Sequence, residues 1–225
     1  MKKTTLFFDV GAFKGHWTFY LNNYSNKHSV KNKIYAFEPT PSTYKHLKIN
    51  TKKHQNIKVY KKALFSSVKK INFYHKGNEF GTNSFKSEDE KKRIKIETDT
   101  IDNFVSNNKI KKINLVKCDV EGYDFEVIKG AKYSLKNEVI NFLQFEYNHR
   151  WIDNKVFLKD VFDFVKNKNY KIGKLCSNEI QIISSWHFEL EKFYETNFVI
   201  MNEKFVKNKF CYNVKFNRFN VLIYE

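Results

Sequence analysis

The chain has 225 residues, with 41 Lys and Arg against 24 Asp and Glu, a formal charge of +17. At 41% hydrophobic and 17% aromatic it can bury a sizeable core, which excludes global disorder, and no run approaches the ~20 apolar residues of a membrane span. Only 7 Gly and 2 Pro are present, where average usage would give about 27 of the two together, so each is expected to mark a needed backbone geometry.

Residues 4–10, TTLFFDV, are a short apolar run carrying Asp9 near its end, with Gly11 next, the pattern of a buried parallel strand. A helix is expected over 14–22, with Trp17, Tyr20 and Leu21 on one side. A second buried strand spans 33–37 and is closed by Glu38; Pro41 and Ser42 then open a helix over 41–52. Strands are expected at 56–60, 69–74 and 93–97, with a long polar loop at 77–90. A short helix over 100–107 leads to a strand at 113–120, INLVKCDV, which ends in acids before Gly122. There follow a helix over 124–135, a strand at 139–145 closed by Glu146, and an amphipathic helix over 156–168. Further strands are expected at 171–176, 180–183 and 198–201. Residues 203–225 are basic and aromatic, and their pattern settles no element.

Alternating strands and helices with apolar strands imply an α/β fold, a mostly parallel central sheet flanked by helices, in one domain over 1–225 with 203–225 as an extension. Ligands in such sheets sit beyond the carboxyl ends of the strands. Asp9, Glu38, Asp119 and Glu146 each end an expected strand and so share that rim. Cys118, Cys176 and Cys211 lie far apart without a CxxC pair, which disfavours a disulfide scaffold or a cysteine zinc site and suits a reducing, cytoplasmic setting. Asp9 also interrupts the first apolar run before a signal-peptide core could form. The charge of +17 invites an anionic partner, nucleic acid or acidic glycan. However, Lys, Asn, Ile, Phe and Tyr are enriched together, as A/T-rich codons dictate. The lysines are also spread along the chain, and the arginines are only Arg93, Arg150 and Arg218.

Three stretches carry chemistry. In the first, Asp9 to Gly15, Gly11 permits a tight turn and close approach of a ligand to the backbone, Gly15 permits close helix packing, and the helix start offers free N–H groups. In the second, Glu38 is placed to accept hydrogen bonds from ribose hydroxyls, with both prolines, Pro39 and Pro41, just after it. A dinucleotide would need a G-x-G-x-x-G cradle; this loop has two glycines four apart and the charge of Asp9, which suits a cationic ligand without phosphate such as S-adenosylmethionine. In the third, strand alternation would place Lys117, Asp119 and Glu121 on one side, and acids crowded beside a lysine have shifted pKa values, a frequent sign of a site.

In order and spacing, FFDVGAFKG, YAFEPTPSTYKHLKIN, KKALFSS, the ETDTIDNF segment and VKCDVEGYDFEVIKGA resemble the FkbM-type family of S-adenosylmethionine-dependent methyltransferases, over roughly residues 5–146. The resemblance implies a Rossmann-like class I methyltransferase fold and methylation of hydroxyl oxygens, often on sugars. It places Asp9, Gly11 and Gly15 along the methionine part of the cofactor, with Phe13 among them where the family often has Asn. It places Glu38 on the ribose and Asp119 near the reacting methyl. The base that takes the acceptor's proton is sought among Glu121, Glu146 and His149, with Glu121 preferred for its motif. Lys117 would orient the acids or touch an anionic acceptor. Asp119, Glu146 and Asn148 carry oxygens of the kind Mg²⁺ takes, though nothing in their spacing demands a metal. In the 77–90 loop, Thr82, Asn83 and Ser84 could hydrogen-bond a sugar and Phe80 or Phe85 could stack on one. The acceptor is thus expected to be a glycan or small hydroxylated molecule. Two alternatives remain. One is an RNA methyltransferase, favoured by charge and interleaved aromatics but lacking an N-P-P-Y-like motif or an appended RNA-binding motif. The other is a cofactor-binding protein without catalysis.

Overall fold

A computed structural model describes residues 4–74 and 93–225. In chain order the elements are β1 (Thr5–Val10), α1 (His16–Lys27), β2 (Asn32–Phe37), α2 (Pro41–Thr51), β3 (Ile57–Tyr60), β4 (Ala63–Leu64), β5 (Lys70–Tyr74), β6 (Arg93–Asp99), α3 (Ile101–Asn107) and β7 (Ile113–Cys118). They continue with α4 (Asp124–Lys129), α5 (Lys132–Lys136), β8 (Ile140–Tyr147), α6 (Arg150–Asp153), α7 (Leu158–Val165), β9 (Tyr170–Leu175), β10 (Ile180–Ile183), β11 (Thr196–Asn202), β12 (Cys211–Phe216) and β13 (Leu222–Tyr224).

Among the described residues, ten strands form one sheet in the order β13-β12-β10-β9-β11-β8-β7-β1-β2-β3, and β4-β6-β5 form a small second one. The half from β3 to β8 is parallel. β11 runs antiparallel between β8 and β9. This is the Rossmann-like class I methyltransferase arrangement, with a mixed far half. The period-2 alternation of strands sorts the apolar side chains. Phe7, Ile34 and Ile57 face Phe19 and Leu21 of α1, whereas Phe8, Val10, Tyr35, Phe37, Val116 and Cys118 face Ile101, Phe104 and Val105 of α3. Burial on both faces is why β1 and β2 read as unbroken apolar runs.

Several elements differ from expectation for local reasons. α1 continues past Asn22 to Lys27 because its buried face is partly polar: Thr18, Asn22 and Ser25 follow helical spacing, and Asn56 donates to Asn22 Oδ1 at 2.7 Å. The expected helix over 124–135 is two helices. A Cβ at Gly130 would lie 2.0 Å from the Phe65 carbonyl oxygen, and the Asp102 carboxylate accepts the Tyr133 and Ser134 N–H groups that open α5. α7 is shorter than 156–168; its start is set by the Phe157 N–H donating to Asp160 Oδ2 at 2.8 Å. β7 stops at Cys118 rather than 120 because Glu121 and Gly122 take φ values of 58° and 92°. Residues 203–225, unplaced from sequence, supply β12 and β13, which extend the sheet beyond β10. β4 and α6 were not expected. The 77–90 loop lies outside the described residues. Among these residues no helix is long and apolar enough to cross a membrane, and Cys118, Cys176 and Cys211 are free thiols.

Candidate active site

The ends of β1 and β2 build the first side of the site. Gly11 has φ 81°, and a Cβ there would meet the Asp119 carbonyl oxygen at 2.0 Å. The chain's own backbone at Asp119 thus already requires glycine here, and Gly11 also lines the cleft along this rim. Gly15 opens α1 with φ 94° and faces Leu47 of α2, as close helix packing demands. Buried Glu38 binds the loop together: its Oε2 accepts the Phe13 N–H at 3.0 Å and its Oε1 the Thr40 N–H at 2.9 Å. Burial raises its pKa, and those backbone donors oppose the rise. Beneath it, Phe37 stacks on Tyr60 at 5.3 Å and meets Phe104 edge-on at 5.0 Å, so the strand end is rigid.

A cleft of about 600 Å³, open to solvent, lies along this rim. Gly11, Phe13 and Glu38 line one end, and Asp119, Glu121 and Tyr123 the other. Its side wall, Lys62 to Phe65, is formed by β4 and held by β6. Asp99 there accepts from Lys62 Nζ at 3.0 Å, the Thr100 N–H at 2.8 Å and Asn103 Nδ2 at 2.7 Å. This wall was not read as site-forming, although KKALFSS and ETDTIDNF were both singled out; a two-residue strand leaves no period to detect.

Asp9 does not line the cleft. It is fully buried, accepts from Thr18 Oγ1 of α1, and lies in register with Lys117. Burial raises its pKa against the pull of Lys117. Gly15, Lys117 and Glu146 also lie outside the lining. Lys117 Nζ donates to Asp119 Oδ2 at 2.8 Å; burial depresses its pKa, but Asp119 and Asp9 more than offset this and keep the ammonium charged. Glu121 is not carried beside Lys117 by strand alternation, because the chain has already turned. It pairs instead with Arg150 Nη1 of α6. Its pKa is raised to about 7 by burial, opposed by Arg150 and reinforced by Asp119, Glu146 and Glu195.

Glu146 accepts from Asn148 Nδ2 at 2.6 Å, and Asn148 Oδ1 accepts the Arg150 N–H at 3.0 Å. Both polar atoms of Asn148 are thus bonded within the loop, and among the described residues no group of three or more His, Cys, Asp or Glu is arranged to hold a metal ion. His149 is exposed.

Asp124 carried no role in the sequence, yet it is fully buried at the start of α4. Oδ1 accepts the Glu146 N–H at 3.3 Å, Oδ2 has no partner, and burial with the nearby charge of Asp119 raises its pKa to about 7. An acid whose folded pKa exceeds its unfolded value of ~3.9 stabilises the fold below that value and loses the contribution as pH rises to about 7. Asp124→Asn is therefore expected to flatten the fall in melting temperature between about pH 4 and 7, removing a dependence on the order of a few kcal/mol. Thermal melts across that range check this, and an unchanged slope would refute it.

The family model for the methyltransferase FkbM domain matches residues 9–172, well over half of the chain. The chain belongs to the FkbM methyltransferase family. It is similar to the hexuronic acid methyltransferase AglP of Haloferax volcanii, 30% identical over 128 residues, 56% of this chain and 52% of AglP. The chain thus spans about half the length of that curated relative. The crystal structure of methyltransferase FkbM from Methylobacillus flagellatus KT is similar at TM-score 0.55 and 15% identity, over 89% of this chain and 44% of that one, a likeness of fold. The FkbM match takes in the whole lining of the cleft and stops inside β9, so β10 to β13 lie beyond it.

Proposed function

We propose that this FkbM methyltransferase uses S-adenosylmethionine to methylate a hydroxyl of a sugar or glycan. The observation that carries the reading is the cleft's lining: three acids, Glu38, Asp119 and Glu121, between apolar walls at Leu64, Phe65 and Val120. Its lysine, Lys62, is held by Asp99. Such a lining fits a nucleoside with a cationic head and repels a pyrophosphate. The name of AglP supports a sugar acceptor.

When bound, S-adenosylmethionine supplies an electrophilic methyl on a positively charged sulfur. Glu38 keeps lone pairs for ribose hydroxyls while its backbone bonds fix its position. Asp119, with one oxygen on Lys117, has the other for the cofactor's positive end. Glu121, ionised above pH about 7, can take the proton that an acceptor hydroxyl releases.

The test is calorimetric titration with S-adenosylmethionine. Glu38→Ala is expected to weaken binding by roughly 10- to 100-fold, the worth of hydrogen bonds to a charged group. Unchanged affinity in a variant that still melts cooperatively would show that the cofactor does not bind at Glu38.

A further inference from the structure

A second cleft, with about 900 Å³ of space open to solvent, is built mostly beyond the FkbM match and reaches the rim at Tyr147 and Thr196. It begins one residue from Glu146, at Tyr147, whose register partner Thr196 also lines it. Glu195, between the cleft residues Tyr194 and Thr196, is close enough for its charge to raise the pKa values of Glu121 and Glu146. Lys174 lies two strands from β8, roughly 10 Å at the usual strand spacing. One end of this cleft therefore lies near the acids Glu121 and Glu146, which follow β7 and end β8.

The lining has two kinds of chemistry. Tyr147 and Phe193 bring their rings within 5.2 Å of each other, and Phe216, from the C-terminal segment, forms a further aromatic wall. Phe193 is held at φ 53°, a left-handed conformation that costs a side-chain-bearing residue energy and recurs where a fold clamps a ligand. Among these rings is Lys174. It is half-buried and has no acidic partner among the described residues, whereas the neighbouring Lys192 is paired with Glu189 at 3.4 Å. A partly desolvated ammonium without a counter-ion favours an anion beside it.

We propose that this second cleft binds an acid-bearing sugar, with Phe193 and Phe216, whose rings are part-exposed, against its C–H face and Lys174 on its carboxylate. Resting on the methyl-transfer reading, that sugar is the acceptor, laid along the rim toward Glu121. The C-terminal hairpin then sets acceptor choice, while the cofactor cleft lies wholly in the FkbM match.

Ligand-observed NMR titration of the full chain, without methyl donor, tests the site. Methyl β-D-glucuronide is expected to bind roughly tenfold more tightly than methyl β-D-glucoside, the worth of one charge-assisted contact, and Lys174→Met to abolish that preference while leaving S-adenosylmethionine affinity unchanged. Equal binding of the two glycosides by the wild type, or glucuronide binding untouched by Lys174→Met, overturns the proposal. If glucuronide binds through Lys174 and no glycoside is methylated with S-adenosylmethionine bound, the sugar site stands and the methyl-transfer reading falls.

Discussion

Glu121→Gln is expected to lower kcat by roughly 10²–10⁴ while S-adenosylmethionine still binds through Glu38 and Asp119, because the change removes a base and keeps the side chain's shape. The geometry explains why this carboxylate suits the role. Glu121 lines the cleft, its backbone is fixed by consecutive left-handed residues, and burial raises its pKa to about 7. A base works as the carboxylate, so the wild-type rate rises with pH through about 7, and the glutamine variant loses that limb. Arg150 separates this from a merely structural ion pair. Its guanidinium holds the carboxyl down, so Arg150→Met raises the Glu121 pKa and moves the limb toward higher pH, by about one unit or more. A structural role predicts a lower melting temperature for both variants with no movement of the limb. Rate profiles of the wild type and both variants decide the matter, and an unmoved limb in Arg150→Met sinks the assignment.

The parts of the fold that were legible in sequence are those where one local rule acts alone. β1, β2 and β8 are buried on both faces or end at acids, and their apolar runs marked them. Glu38 was singled out as the carboxylate that closes an apolar strand, and it lines the cleft. What failed did so where the chain turns sharply or a distant segment intervenes. Alternation could not place Glu121 because the strand ends at Cys118 and the chain turns through left-handed φ values. The break between α4 and α5 is imposed by Phe65, about 65 residues earlier in the chain, through contact with Gly130. The family resemblance set Asp9 along the cofactor's methionine part, and the strand end set it on the rim; its side chain turns to the α1 face, where Thr18 donates to it. The C-terminal hairpin was illegible because β12 and β13 are mostly exposed, and their order comes from β12 pairing with β10 and β13 with β12, not from a core pattern.

Gly11→Ala is expected to be the most damaging single methyl added to the site. The new Cβ would sit 2.0 Å from the Asp119 carbonyl oxygen and 3.2 Å from Val120 Cγ1, at a residue with φ 81°. Left-handed φ alone costs alanine about 1 kcal/mol. The overlap is with backbone, so no rotamer change relieves it, and β1 and β7 must part where the Asp119 N–H donates to the Val10 carbonyl at 3.0 Å. The combined loss is on the order of 3 kcal/mol or more, a fall in melting temperature of roughly 6–12 °C for a chain of this size. Gly15→Ala is the control. It carries a similar φ, 94°, but the nearest atom is Leu47 Cδ1 at 2.7 Å, the end of a side chain that can turn aside. It is therefore expected to cost less than half as much. Displacing Asp119 also reaches the chemistry: even below its melting temperature, Gly11→Ala is expected to bind S-adenosylmethionine at least tenfold more weakly than Gly15→Ala does. Thermal melts and calorimetric titrations of the two variants side by side check both statements. Equal losses would mean that the left-handed backbone, and not the passage of Asp119, is what Gly11 serves.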